Sequence, residues 1–241
     1  KQIEGVGAAT HGAALAQVLL GSANAIEQII YEGRSLSQVL DALDPKLRPA
    51  IQSVTFAALR SWAHAQKRIQ RLVPKKPSKE VDLLLSVSCT LILGQERGDM
   101  QNRYPAHTIV NEAVKAAGSS PKTQFAQGLI NAVLRKIAVS SKDEDLVGQG
   151  FGIAFPKWWL EQLQAAYPKE WQGICIEQGK RPPLVLRINT NKISLIDYYA
   201  LLESKEISYR RIEHLSGMAL DTAIVIQEPI PVSQIPGFDE G

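Results

Sequence analysis

The sequence predicts a mainly α protein in two parts, a helical bundle over residues 1–140 and a small α+β domain over residues 141–241. Three observations predict it. Apolar residues recur at three- and four-residue spacing through most of the first 137 positions, the period of a helix with one buried face. After Ser140 the chain turns polar and glycine-rich, as a connection does. Beyond that, Leu184–Asn189 and Ala223–Gln227 are short β-branched runs, and Ile207–Ile212 is a third strand candidate, enough for a three-stranded sheet.

The elements follow in order. Ala14, Val18, Leu19, Ile26, Ile29 and Ile30 mark one or two helices within residues 12–43. Ser35 opens another short helix as its N-cap. Pro45 and Pro49 precede a long helix with Ile51, Val54, Leu59, Trp62, Ile69 and Leu72 as its stripe, ended by Pro74, which lacks an amide donor and disfavours helix at the residue before it. Ser78-Lys79-Glu80 starts a helix through Leu84, Leu85, Cys89, Leu91 and Ile92 that is apolar around most of its circumference, the pattern of a central buried helix.

Two shorter helices come next. Thr108 is expected to cap the first. Ala126, Leu129, Ile130, Val133, Leu134 and Ile137 form the apolar stripe of the second, and Gly128 within it implies close approach of another helix or a ligand. In the second part, Trp158–Tyr167 and Glu170–Gln178 read as helices separated by Pro168, Leu195–Glu203 as a third, and His214 as a loop residue.

Charge is distributed unevenly. Residues 44–137 hold fifteen Lys/Arg against six Asp/Glu, a balance of +9, while the three remaining stretches are each at −2. The overall +3 therefore conceals one strongly basic module, an electrostatic footprint for a polyanion. Lys67, Arg68 and Arg71 lie at helical spacing, and Lys75, Lys76 and Lys79 continue the array through the next loop. Arg103, Lys122, Arg135 and Lys136 line a neighbouring surface if the bundle folds back on itself. Such residues grip phosphates and fix position without reading bases. Tyr104, Asn111, Gln127 and Asn131 supply stacking or edge contacts to unpaired bases.

Other chemistry finds little support. Neither GxGxxG nor GxxxxGK[ST] occurs, and Gly148-Gln149-Gly150-Phe151-Gly152 has the wrong glycine spacing for a nucleotide loop. The two cysteines, Cys89 and Cys175, show no metal-binding spacing, so no disulfide framework or zinc site is expected and the default compartment is the cytoplasm. No apolar run is long enough for a membrane span, and Lys1–Gly12 lacks an export pattern. Catalytic, cofactor-binding and metal-binding residues are all read as none.

One pattern goes further. Pro105-Ala106-His107, Asn111-Glu112-Ala113-Val114 and Gly128-Leu129-Ile130-Asn131-Ala132-Val133-Leu134-Arg135 resemble NusB-type RNA-binding helical domains. More closely, they are similar to the N-terminal domain of the Sun/Fmu (RsmB-type) 16S ribosomal RNA cytosine-C5 methyltransferases. Pro156-Lys157-Trp158-Trp159-Leu160, Arg181-Pro182-Pro183-Leu184-Val185-Leu186-Arg187-Ile188-Asn189 and Ile235-Pro236-Gly237-Phe238 resemble that family's connecting domain. The resemblance implies a small-subunit ribosomal RNA partner. It also implies, for the parent protein, a Rossmann-like catalytic domain that binds S-adenosylmethionine and carries cysteines in Pro-Cys and Thr-Cys motifs. Neither motif occurs here, so the expectation is the RNA-recognition half of such an enzyme, inactive alone and stopping where the catalytic domain begins. A NusB-like antitermination or ribosome-assembly factor without enzymatic activity is the alternative, and a protein-interaction bundle with an acidic partner is a third.

Overall fold

A computed structural model of the chain describes residues 15–97, 104–140, 155–180, 182–215, 218–228 and 230–239. Its backbone divides into two compact units, Lys1–Lys180 and Arg181–Gly241.

The first unit contains α1 (Leu15–Ile30), α2 (Leu36–Asp41), α3 (Arg48–Leu72), α4 (Lys79–Arg97), α5 (Ala106–Gly118), a 3-10 turn (Gln124–Ala126), α6 (Gln127–Ser140), α7 (Lys157–Ala166) and α8 (Trp171–Gly179). Local chemistry sets many of the boundaries. Ser35 caps α2 with a full capping box: its hydroxyl accepts from the Gln38 backbone N–H, and its own N–H donates to the Gln38 side chain. Pro49 sits in the first turn of α3, where a missing N–H costs nothing, and α3 ends at Leu72, two residues before Pro74. At α5 the expectation fails. The helix begins at Ala106 behind Pro105, with no side-chain cap, so Thr108 lies inside the first turn and its N–H donates to the Pro105 carbonyl at 2.8 Å.

α4 is the centre of the bundle. Every residue from Val81 to Gly94 is buried, and α1, α3, α5 and α6 all pack against the helix. Two of its hydroxyls are satisfied within the helix: Ser88 donates to the Leu84 carbonyl at 2.8 Å and Thr90 to the Val87 carbonyl at 2.7 Å. The core runs from Leu19 and Ile26 through Leu84, Leu85 and Leu91 to Ile109, Ile130, Leu134 and Ile137. At Gly21 a Cβ would meet Ile51 Cδ1 at 2.5 Å, so the Ile51 side chain of α3 packs directly over the glycine of α1 and a larger residue there would have to displace it. The Glu112 carboxylate on α5 accepts from the Ala16 N–H in the first turn of α1, tying those helices at 3.3 Å. By contrast, α7 buries none of its residues, and Phe155 stacks on Trp159 with ring centroids 4.4 Å apart.

In the second unit, β1 (Leu184–Arg187), α9 (Leu195–Ser204), β2 (Tyr209–Leu215) and β3 (Met218–Ile226) build an antiparallel sheet of order β1-β3-β2, followed by a 3-10 turn at Val232–Gln234. β3 is central, pairing Leu186 with Ile224 on one side and Arg211 with Ile224 on the other. The three predicted strands are present, but β2 and β3 extend toward each other and include His214, which the sequence places in a loop. Ile188, Tyr198, Leu202, Ile224 and Ile226 form a separate small core. Ser194 caps α9, accepting from the Asp197 N–H at 3.2 Å.

Candidate nucleic-acid interface

The basic residues assemble around the hairpin of α3 and α4. Lys67 and Arg71 are one turn apart on α3, half-buried and exposed respectively, while Lys75 and Lys76 stand exposed in the loop. Lys76 lies 4.0 Å from the buried Asp82 carboxylate, which also accepts from Gln66 Nε2 at 3.2 Å. The same Gln66 amide donates to Ser86 at 2.7 Å, so a polar string crosses between the two helices. Lys79 pairs with Glu27 of α1 and sits over the Tyr31 ring at 5.6 Å. Its hydrogen bond with Glu27, followed by that carboxylate's charge, holds its ammonium above the ordinary lysine value.

Lys122 joins this cluster from the far side of the bundle. It lies 3.6 Å from Glu80, in the first turn of α4. Glu80 is held below the usual carboxylate range, chiefly by its own backbone N–H and then by the positive charge of Lys122. Lys76 and Lys79 at the start of α4 and Lys122 from a distant part of the sequence are therefore held at this end of the helix by Asp82, Glu27 and Glu80.

The other end of α6 is fixed to α3. Arg68 directs its guanidinium at the helix terminus, donating to the Ser140 carbonyl at 3.4 and 3.5 Å and to its hydroxyl at 3.4 Å. A cation at the C-terminal carbonyls is the favourable placement there. The segment from Lys122 to Ser140 is thus anchored on the basic hairpin at both ends. Between the anchors Arg135 and Lys136 are exposed and Asn131 is half-buried. Of the residues expected to meet the basic hairpin by a fold-back, Lys122 reaches α4 through Glu80. Arg103 lies outside the described residues, as does the Gly148–Gly152 run.

Two expectations for α6 are corrected. Ile130, Val133, Leu134 and Ile137 face the core as predicted, but Leu129 is 39 % exposed. An added Cβ on Gly128 would meet nothing within 4 Å among the described residues, so none of the described helices approaches it closely. The helix is turned so that Gly128, Leu129 and Ala132 are exposed, and Phe125 in the preceding 3-10 turn is 74 % exposed. Sequence reasoning did not single out Phe125. Its place one residue before the stripe begins was the available signal. Gln127, expected to offer its amide to a base, donates instead to the Val114 carbonyl at 3.2 Å and lies across Gly118. Tyr104 packs half-buried against the core.

The cysteines are structural. Both are buried, and burial pushes the Cys175 thiol up, away from the reactive thiolate. Among the described residues no helix is long and apolar enough to cross a membrane, and no group of three or more His, Cys, Asp or Glu gathers as metal ligands do.

The chain, a helical bundle holding its excess cations and then a three-stranded antiparallel unit, matches two family models. The NusB family model covers residues 13–139, and the model of the ferredoxin-like domain of RsmF/B-like methyltransferases covers residues 155–233. The chain belongs to the NusB family, and the second domain is the one that its resemblance implied. Among its relatives is the probable ribosomal RNA small subunit methyltransferase B of Coxiella burnetii, 33% identical over 220 residues, covering 90% of this chain and 48% of that protein. The ribosomal RNA small subunit methyltransferase B of Cronobacter sakazakii is 31% identical over 230 residues, with 91% and 50% covered. The chain thus spans about half the length of the curated relatives it matches. The crystal structure of PH0851 shares the fold, with a TM-score of 0.56 over 93% of this chain and 51% of that one at 16% identity.

Proposed function

We propose that this chain is the RNA-recognition part of an S-adenosylmethionine-dependent 16S ribosomal RNA (cytosine-C5)-methyltransferase, presenting small-subunit rRNA to a catalytic domain carried elsewhere in the whole protein. The observation that carries the reading is a NusB-type bundle whose excess cations gather on one hairpin and the helix anchored across it, in a chain related to small-subunit rRNA methyltransferases. The proposed contacts are Lys67, Arg71, Lys75, Lys76, Lys79, Arg103, Lys122, Asn131, Arg135 and Lys136, with Arg68 holding α6 in place. In this reading residues 1–140 grip RNA and residues 141–241 connect the grip to catalysis, in the cytoplasm.

The chain's own residues do not fit the cofactor. Among the described residues the sheet is antiparallel and lacks the parallel βαβ crevice in which such nucleosides lie. Cys89 and Cys175 are buried in helices away from any nucleophilic setting. No chemical step is therefore assigned to this chain.

Filter binding to 16S rRNA across a salt series tests the proposal. Wild-type affinity should fall steeply with salt, with a log–log slope of about −0.7 to −0.9 for each phosphate neutralised. Changing Lys67, Arg71, Lys75 and Lys76 together to Glu should weaken binding by more than tenfold at 0.1 M salt and flatten that slope. Equal affinity for rRNA in the quadruple variant overturns the reading.

A further inference from the structure

The second unit holds a cleft that the helical surface does not use. It has a volume of about 680 Å³ and is walled by β1, the loop that follows it, α9 and the Ile235–Phe238 turn. That size lies within the roughly 300–1,000 Å³ typical of small-ligand sites. Arg187 and Lys192 are the charged side chains among the described residues that line it. Its floor is apolar, with Ile188, Tyr198 and Ile235 all buried.

The geometry is built rather than incidental. The Asn189 side chain accepts from the Asn191 N–H at 3.3 Å, and its carbonyl accepts from Lys192 at 2.9 Å, which curls the loop back toward β1. On the opposite wall the Tyr198 hydroxyl donates to the Pro236 carbonyl at 3.1 Å. Burial pushes that phenol's pKa up, so it stays a donor. Gly237 takes the left-handed conformation at φ +70°, and the turn closes with the Phe238 N–H donating to Ile235 at 3.3 Å. The turn leaves the Phe238 ring half exposed at the mouth of the cleft.

Two cationic side chains at one cleft favour an anionic ligand, even where each also has a partner within the protein. An apolar floor beside an exposed aromatic ring selects a flat group with apolar faces. An unpaired nucleotide joins both in one residue, whereas a duplex keeps its bases stacked inside. We propose that this cleft takes one unpaired nucleotide of an RNA strand, its base against Phe238 and its phosphate at Arg187 and Lys192. The inference rests on the reading that the chain binds RNA, but uses none of the bundle's residues.

The test uses the full chain and three probes: a labelled unstructured RNA 12-mer, the same strand in a duplex, and free cytidine monophosphate. The double variant Arg187→Ala/Lys192→Ala should bind the single strand about tenfold more weakly while duplex affinity stays within about twofold. Phe238→Ala should cost the single strand roughly fivefold or more. A 4-thiouridine in the strand should crosslink to peptides spanning 184–193 or 235–239. Circular dichroism confirms that each variant is folded; one that is not is replaced by the crosslinking result on wild-type protein. Unchanged single-strand affinity with no crosslink to these peptides overturns the inference. So does equal loss for strand and duplex, or cytidine monophosphate binding as tightly as the strand, which makes this a free-nucleotide site. Failure of the bundle's quadruple variant to weaken rRNA binding condemns the functional reading instead.

Discussion

Glu80 and Lys122 show how one pair organises the cationic end of the bundle. Glu80 belongs to the first turn of α4, where its charge also meets the helix N-terminus, and Lys122 arrives just before the 3-10 turn that leads into α6. Because the Glu80 pKa is lower in the fold than in the unfolded chain, its contribution is present above the ordinary carboxylate value and is lost as pH falls through the folded one. Wild type should therefore exceed Glu80→Gln in stability at neutral pH by under about 1 kcal/mol, since the pair is largely solvated. Urea titrations at neutral and acid pH should show that gap closing on acidification; a gap that widens contradicts the assignment. Lys79 has the opposite sign: its pKa is raised, so its contribution holds below the ordinary lysine value and fades as pH rises through the folded one.

Among the helices, α6 separates what could be read beforehand from what could not. Its existence and most of its buried face followed from periodicity, as did the burial of α4 on all sides, while the capping of α2 followed from the serine at position 35. Periodicity gives the direction of an apolar stripe but not its width, so Leu129, at the edge of the stripe, was assigned to a core that Ile130 and Leu134 already fill. Gly128 was read as a close approach because glycine in a helix usually has such a reason, and here none of the described helices approaches it closely. Replacing Gly128 by Ala should accordingly raise stability by about 0.4–1 kcal/mol, visible as an increase in Tm; a fall would reveal a neighbour. The ion pairs of Lys79 with Glu27 and Lys122 with Glu80 had no local signal at all, because they depend on how α1 and α6 lie against α4.

Across the chain, the described residues form two cores that share no residue, one centred on α4 and one between α9 and the sheet. Leu85→Ala should destabilise the bundle by about 2–5 kcal/mol, as loss of a fully buried leucine does. Hydrogen exchange should show that loss across α1 and α3 to α6, with the amides of β1 and β3 unchanged; joint loss of protection in both would mean a single cooperative unit. Asp82, Glu27 and Glu80 also bear on the proposed grip. Each is a tethered mimic of a phosphate already resting against its lysine, so any incoming strand meets resident rivals. A lone anion gains little by displacing one of them, whereas several linked phosphates arriving together displace them all, and occupancy therefore rises abruptly with strand length.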